Sequence, residues 1–123
     1  MDNFSNIESE QVLIGSILKQ NDILAEAGAV LKPDDFFSKA NETAFKTMLQ
    51  MYQDGIGIDP VTVATQMTAE ELKAVGGITY LSKTESTVDT TLNHREHIKE
   101  IKKKSDTRSI AKALNDGLNM IQT

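Results

Sequence analysis

Cysteine and tryptophan are both absent from this 123-residue chain, proline occurs twice and aromatic residues make up only 5%. The lack of cysteine excludes disulfides, thiolate zinc sites and a cysteine nucleophile together, and is compatible with a reducing compartment. No apolar run approaches the ~20 residues needed to cross a bilayer, and the N-terminus carries no signal-type apolar segment. There is no Gly-x-x-x-x-Gly-Lys-Ser/Thr loop, the usual cradle for a nucleoside triphosphate. What is present, 39% hydrophobic and 25% charged residues, suits one ordinary globular domain. A chain of this size can bury a real core without covalent staples.

Charge is unevenly spread. The total is −5, unfavourable for a free-standing nucleic-acid binder. Residues 1–93 hold 6 Lys and 14 Asp/Glu, a net of −8, whereas residues 94–123 hold 7 Lys/Arg and 4 Asp/Glu, a net of +3. The last quarter of the chain therefore has a different electrostatic setting.

The pattern is all-α. Ser5-Asn6-Ile7-Glu8 has capping-box spacing and opens a helix bearing Ile7, Leu13, Ile14, Ile17 and Leu18. Gly15 inside it implies either close approach of another helix or a core that tolerates it. Asn21-Asp22 is expected to cap a second helix through Ile23, Leu24, Ala27, Val30 and Leu31, ended by Pro33. Phe36 and Phe37 are expected to plug the core. Ala44, Phe45, Met48, Leu49 and Tyr52 form the clearest helical stripe, stopped by Asp54-Gly55. Asp59-Pro60 and Thr68-Ala69-Glu70-Glu71 each start a short helix, and Val75-Gly76-Gly77 breaks the second before Ile78, Tyr80 and Leu81. Thr84 to Thr91 is polar and reads as a connector. Ile56-Gly57-Ile58 is the only strand candidate and is too short to matter.

From Asn93 to Ile121 only Gly117 interrupts a helical pattern. At 100° per residue, Ile98 and Ile101 face one side, while Ile110, Leu114, Leu118 and Ile121 face the other. Between them Lys102 to Ser109 contains no aliphatic side chain. Either this helix docks its first half on the body and projects its second half outward, or it bends or breaks near Ser105. The expected division is a helical globule over residues 1–92 and a long helix over 93–123. The stripe Ile110, Leu114, Leu118, Ile121 is the candidate partner or self-assembly surface. Its alternative is a terminal helix folded back on its own globule.

These residues resemble the N-terminal domain of the DnaB-type hexameric replicative DNA helicases, bacterial or phage. The resemblance runs through Asn6-Ile7-Glu8-Ser9-Glu10-Gln11, Leu31-Lys32-Pro33-Asp34-Asp35-Phe36-Phe37, Gly55, Ile58-Asp59, Val61-Thr62 and Gly76-Gly77-Ile78-Thr79-Tyr80-Leu81. It ends with Asn93, Lys104 and Arg108 in the long helix. Departures are Asn41, where the family usually has His, the lack of a proline among residues 86–91, and His97, where an aromatic is common. The resemblance implies a helical globule followed by a helical hairpin, of which the long helix is the first arm. It also implies assembly with copies of itself, as dimers within a hexameric collar, in a cytoplasmic setting. The collar would receive the primase C-terminal domain and a helicase loader, with single-stranded DNA threading the hexamer. ATP and magnesium would belong to a motor domain of the parent chain, and no cofactor to these residues.

Chemistry within the chain itself is sparse. Gly55-Ile56-Gly57 and Gly76-Gly77 are turn glycines. His94 and His97 lie at i, i+3, but a stable metal site needs three or four ligands, which favours two solvent-facing histidines. Asp34-Asp35 and Glu70-Glu71 sit at helix starts, where the helix dipole accounts for them. Lys102, Lys103, Lys104 and Arg108 form the one basic cluster. It offers contact to DNA phosphates or an acidic partner, or else a solvated face with Glu100 and Asp106 as counter-charges. Two other functions compete: a stand-alone adaptor or inhibitor imitating a helicase collar, and a helix-turn-helix regulator using residues 60–67 and 69–74. The second helix of the latter has only Lys73 as a cation.

Overall fold

The computed structural model describes residues 6–122, with side chains described through residue 120. The order is α1 (Ile7–Lys19), α2 (Ile23–Val30), a 3-10 turn (Pro33–Asp35), α3 (Lys39–Gln53), α4 (Pro60–Gln66), α5 (Ala69–Val75), α6 (Gly77–Ser86) and α7 (His94–Gln122). There is no strand among the described residues.

Short local signals set the boundaries. Asp59 caps α4 with a reciprocal bond from Thr62, Pro60 occupying the first turn, and Thr68 and Glu71 do the same for α5. Gly76 and Gly77 take φ of 103° and 77°, the left-handed geometry that lets α6 start directly behind α5. Three expectations need correction. The expected cap Ser5 lies outside the described residues, and the N-cap of α1 is Asn6, whose Oδ1 accepts from the Ser9 N–H at 3.0 Å. Asp22 makes no side-chain cap for α2. Asn21 instead turns to the loop before α4, where its amide pairs with both the N–H and the carbonyl of Ile58. Finally, the polar segment from Thr84 is not all connector. α6 continues to Ser86 because Thr84 is buried beneath it, and Val88 beyond it is buried too.

α1 is the central helix. It packs against α2, α3, α6 and α7, and Leu13, Ile14 and Ile17 are fully enclosed. Phe45 and Phe36 meet at 4.7 Å between ring centroids, closing the core at the start of α3. Phe37 does not join them. It is half exposed, because the chain leaves the 3-10 turn extended at Phe36, where successive side chains point to opposite sides, and the Arg108 guanidinium lies 5.5 Å from its ring. Tyr52 is also exposed, and Met51 takes the buried place on that helix.

Glu10 is buried within this core region, only 2% exposed, and its carboxylate is enclosed with it. It accepts the N–H groups of Phe37 (2.7 Å) and Ser38 (3.1 Å), and the Asn41 amide (3.2 Å), to which the Tyr80 hydroxyl also donates. Burial, the largest influence on it, pushes the Tyr80 phenol above its ordinary value. A carboxylate thus serves as the anchor for the chain's entry into α3.

Candidate docking site on the long helix

α7 has two unlike halves. In the first, Ile98 and Ile101 are buried against α1 and α2. The polar stretch that follows stays on the body through specific bonds rather than aliphatic packing. Ser105 is buried and its hydroxyl donates to Asp35 Oδ1 at 2.6 Å. Lys102 Nζ stands 3.6 Å from the same oxygen, and Arg108 Nη2 donates to the Asp35 carbonyl at 2.6 Å. Asp35 in turn accepts the Lys32 N–H at 2.7 Å. The 3-10 turn is therefore shaped to hold the middle of α7. The helix is continuous through Ser105, so the alternative of a break there is overturned.

Beyond this latch the body ends. Ile110, Leu114 and Leu118 are 62%, 66% and 57% exposed, and the described residues from Ser109 to Met120 are all exposed except the half-buried Gly117. The stripe does not fold back onto Phe45 or Leu49. The Ile121 side chain lies outside the described residues.

The basic cluster divides between several partners. Lys102 pairs with Asp35 and Asp106, Lys104 with Glu100, and Arg108 with the Asp35 carbonyl and the Phe37 ring. Lys103 points outward and joins no ion pair among the described residues.

The two histidines are not solvent-facing, contrary to expectation. His94 bridges the Thr91 carbonyl and Glu26 Oε2, both at 2.9 Å, and His97 Nδ1 meets the Ser9 hydroxyl at 3.1 Å. They fasten the start of α7. No group of three or more metal-ligating side chains occurs among the described residues.

Glu26 also takes a bidentate contact from Arg95, with both distances 2.9 Å. The Arg95 bonds chiefly, and the His94 bond next, hold the Glu26 carboxyl down at about 2 against an ordinary 4.5. Because its folded pKa is depressed, its stabilising contribution is complete above pH 4.5 and is lost as pH falls from there through about 2. The pair is exposed, so its contribution is screened by solvent. Carboxyl-resonance titration by NMR is expected to place the Glu26 midpoint near 2, and Arg95→Ala to move it up toward 4.5. An unchanged midpoint in that variant would show that Arg95 is not the cause.

A profile of the DnaB-like helicase N terminal domain matches residues 2–103. The replicative DNA helicase DnaC of Bacillus subtilis is 35% identical over 106 residues, 85% of this chain and 23% of that helicase. The chain spans less than a quarter of the length of the curated relatives it matches. Among solved structures, the N-terminal domain of DnaB helicase from Mycobacterium tuberculosis superposes with a TM-score of 0.86 at 28% identity, covering 98% of this chain and 86% of that one. A DnaB-like replicative helicase, described with its interactions with primase, gives a TM-score of 0.79 at 25% identity, covering 94% of this chain and 28% of that one.

Proposed function

Because the chain belongs to the DnaB-like helicase N-terminal domain family, we propose that it builds the collar of a replicative helicase and docks primase there. These residues assemble and position; unwinding of DNA with ATP and magnesium belongs, in this reading, to a motor domain of the parent chain. The observation that carries the proposal is the outer half of α7, an apolar stripe standing clear of its own body. Buried against a second copy, each Ile or Leu of the stripe contributes about 1.5–3 kcal/mol, before the entropic cost of association. Left bare, it is an adhesive patch. The relative described with its interactions with primase supports the docking role. A helicase loader is, in this reading, a second partner for the same particle.

A helix-turn-helix reading has no support in α4 and α5. Glu70 and Glu71 stand in the first turn of α5, where a recognition helix would approach phosphates.

Light scattering of this chain beside Leu114→Asp tests the assembly role. A mass above the monomer at high concentration is expected, with dissociation at least about tenfold easier in the variant. One shared monomeric mass, together with no binding of a primase C-terminal domain, would remove the support for the proposal.

A further inference from the structure

A second surface lies on the flank of α7 that faces the end of α2. Two adjoining hollows of about 440 and 230 Å3 run along it, with Val30, the last residue of α2, shared by both. Val30 is 47% exposed although Ile23 and Leu24, the other large aliphatic side chains of α2, are buried. Along α7, Arg95, Lys99 and Lys103 recur every fourth residue and so form one row beside this apolar floor. Lys102 adds a fourth cation at the rim, and Ile110 closes the far end. Among the lining residues these four cations face two carboxylates, Glu26, clamped by Arg95, and Asp106, paired with Lys102. Lys99 also meets Glu96, outside the lining, in an exposed pair at 3.5 Å, and Lys103 joins no ion pair among the described residues.

We propose that this groove docks an acidic amphipathic helix presented by a partner protein. An apolar floor takes the hydrophobic face of such a helix at i, i+4 spacing, and the cation row meets carboxylates on its flank. Charge complementarity selects this occupant. Nucleic acid would meet the cations but would leave Val30 and Ile110 without an apolar partner. The acidic exposed helix that a second copy could offer, α5, has seven residues, whereas the row from Arg95 to Ile110 extends about 22 Å. The groove is separate from the assembly stripe except where the two meet at Ile110.

The test is fluorescence anisotropy with a labelled synthetic peptide of about 18 residues, carrying Leu on one helical face and Glu on its flanks. Saturable binding is expected, weakened at least about tenfold by Val30→Glu and by Lys99→Glu/Lys103→Glu, and unaltered by Val61→Glu on α4. It should also weaken several-fold as salt rises from about 50 to about 500 mM. Equal binding of a scrambled peptide of the same composition would overturn the proposal, because charge alone would then suffice. So would binding that ignores the groove variants, or lysine-dependent binding of a labelled oligothymidylate without binding of the peptide. Light scattering of the same variants separates this surface from the assembly stripe. Loss of self-association in Val30→Glu would mean that a second copy fills the groove, which also overturns the proposal.

Discussion

Glu10→Ala is expected to destabilise the fold by about 3–5 kcal/mol, read as a lower denaturant midpoint at unchanged slope. The size follows from what is left behind. Alanine removes the acceptor for two backbone N–H groups, those of Phe37 and Ser38, and for the Asn41 amide, which is itself fully buried. Each buried donor without a partner costs about 1–3 kcal/mol, and the void left by the carboxylate adds to this. Glu10→Gln is the discriminating companion. It keeps the shape and one acceptor oxygen but turns an NH2 toward the donors, so about half the loss is expected. A loss under about 1 kcal/mol for alanine would show that water replaces the carboxylate at little cost.

The second large effect sets helix propensity against packing. Gly15→Ala would by propensity alone stabilise α1 by about 1 kcal/mol. A Cβ at this position, however, would lie 2.5 Å from the Thr84 carbonyl oxygen and 2.5 Å from Val88 Cγ2. The Thr84 oxygen is backbone and cannot swing aside, so the end of α6 must move away from α1. Overpacking costs about 1–3 kcal/mol, and two contacts at 2.5 Å, one of them to backbone, put this case in the upper part of that range, about 2–3 kcal/mol, which leaves a net loss of about 1–2 kcal/mol after the propensity gain. For a domain of this length that lowers the melting temperature by about 4–10 °C. Val88→Ala in the same chain relieves one of the two contacts and should restore part of the loss. A rise in melting temperature for Gly15→Ala would mean that α1 and α6 do not touch as described.

These two positions also show where sequence reasoning reaches and where it stops. Capping and breaking are local, so Asp59-Pro60, Thr68 to Glu71 and Gly76-Gly77 place α4, α5 and α6 directly from their neighbours in sequence. The two-sided character of α7 is legible too, since helical geometry alone opposes Ile98 and Ile101 to Ile110 and Leu114. Glu10 could not be read this way. In sequence it is an acidic residue in a first turn, and the N–H groups that bury it lie 27 and 28 residues away. Thr84 looks like connector because it is polar, yet its carbonyl is what Gly15 makes room for. His94 and His97 look exposed until Glu26 and Ser9 arrive from other helices. Of the proposed sites, the apolar stripe needed only periodicity. The groove beside Val30 needed α2 to stop in one particular place against α7, a tertiary fact with no local signal.

The seating of α7 on Asp35 has a mechanical consequence. A 29-residue helix is about 43 Å long, and the portion beyond Ser105 accounts for about 26 Å of it. With the pivot at Ser105, a tilt of about 10° there sweeps the far end through about 4 Å. The turn at Pro33–Asp35 therefore acts as a fulcrum, at which sub-ångström adjustments of one hydroxyl and one carboxylate are magnified into displacements large enough to change which neighbour the tip can reach.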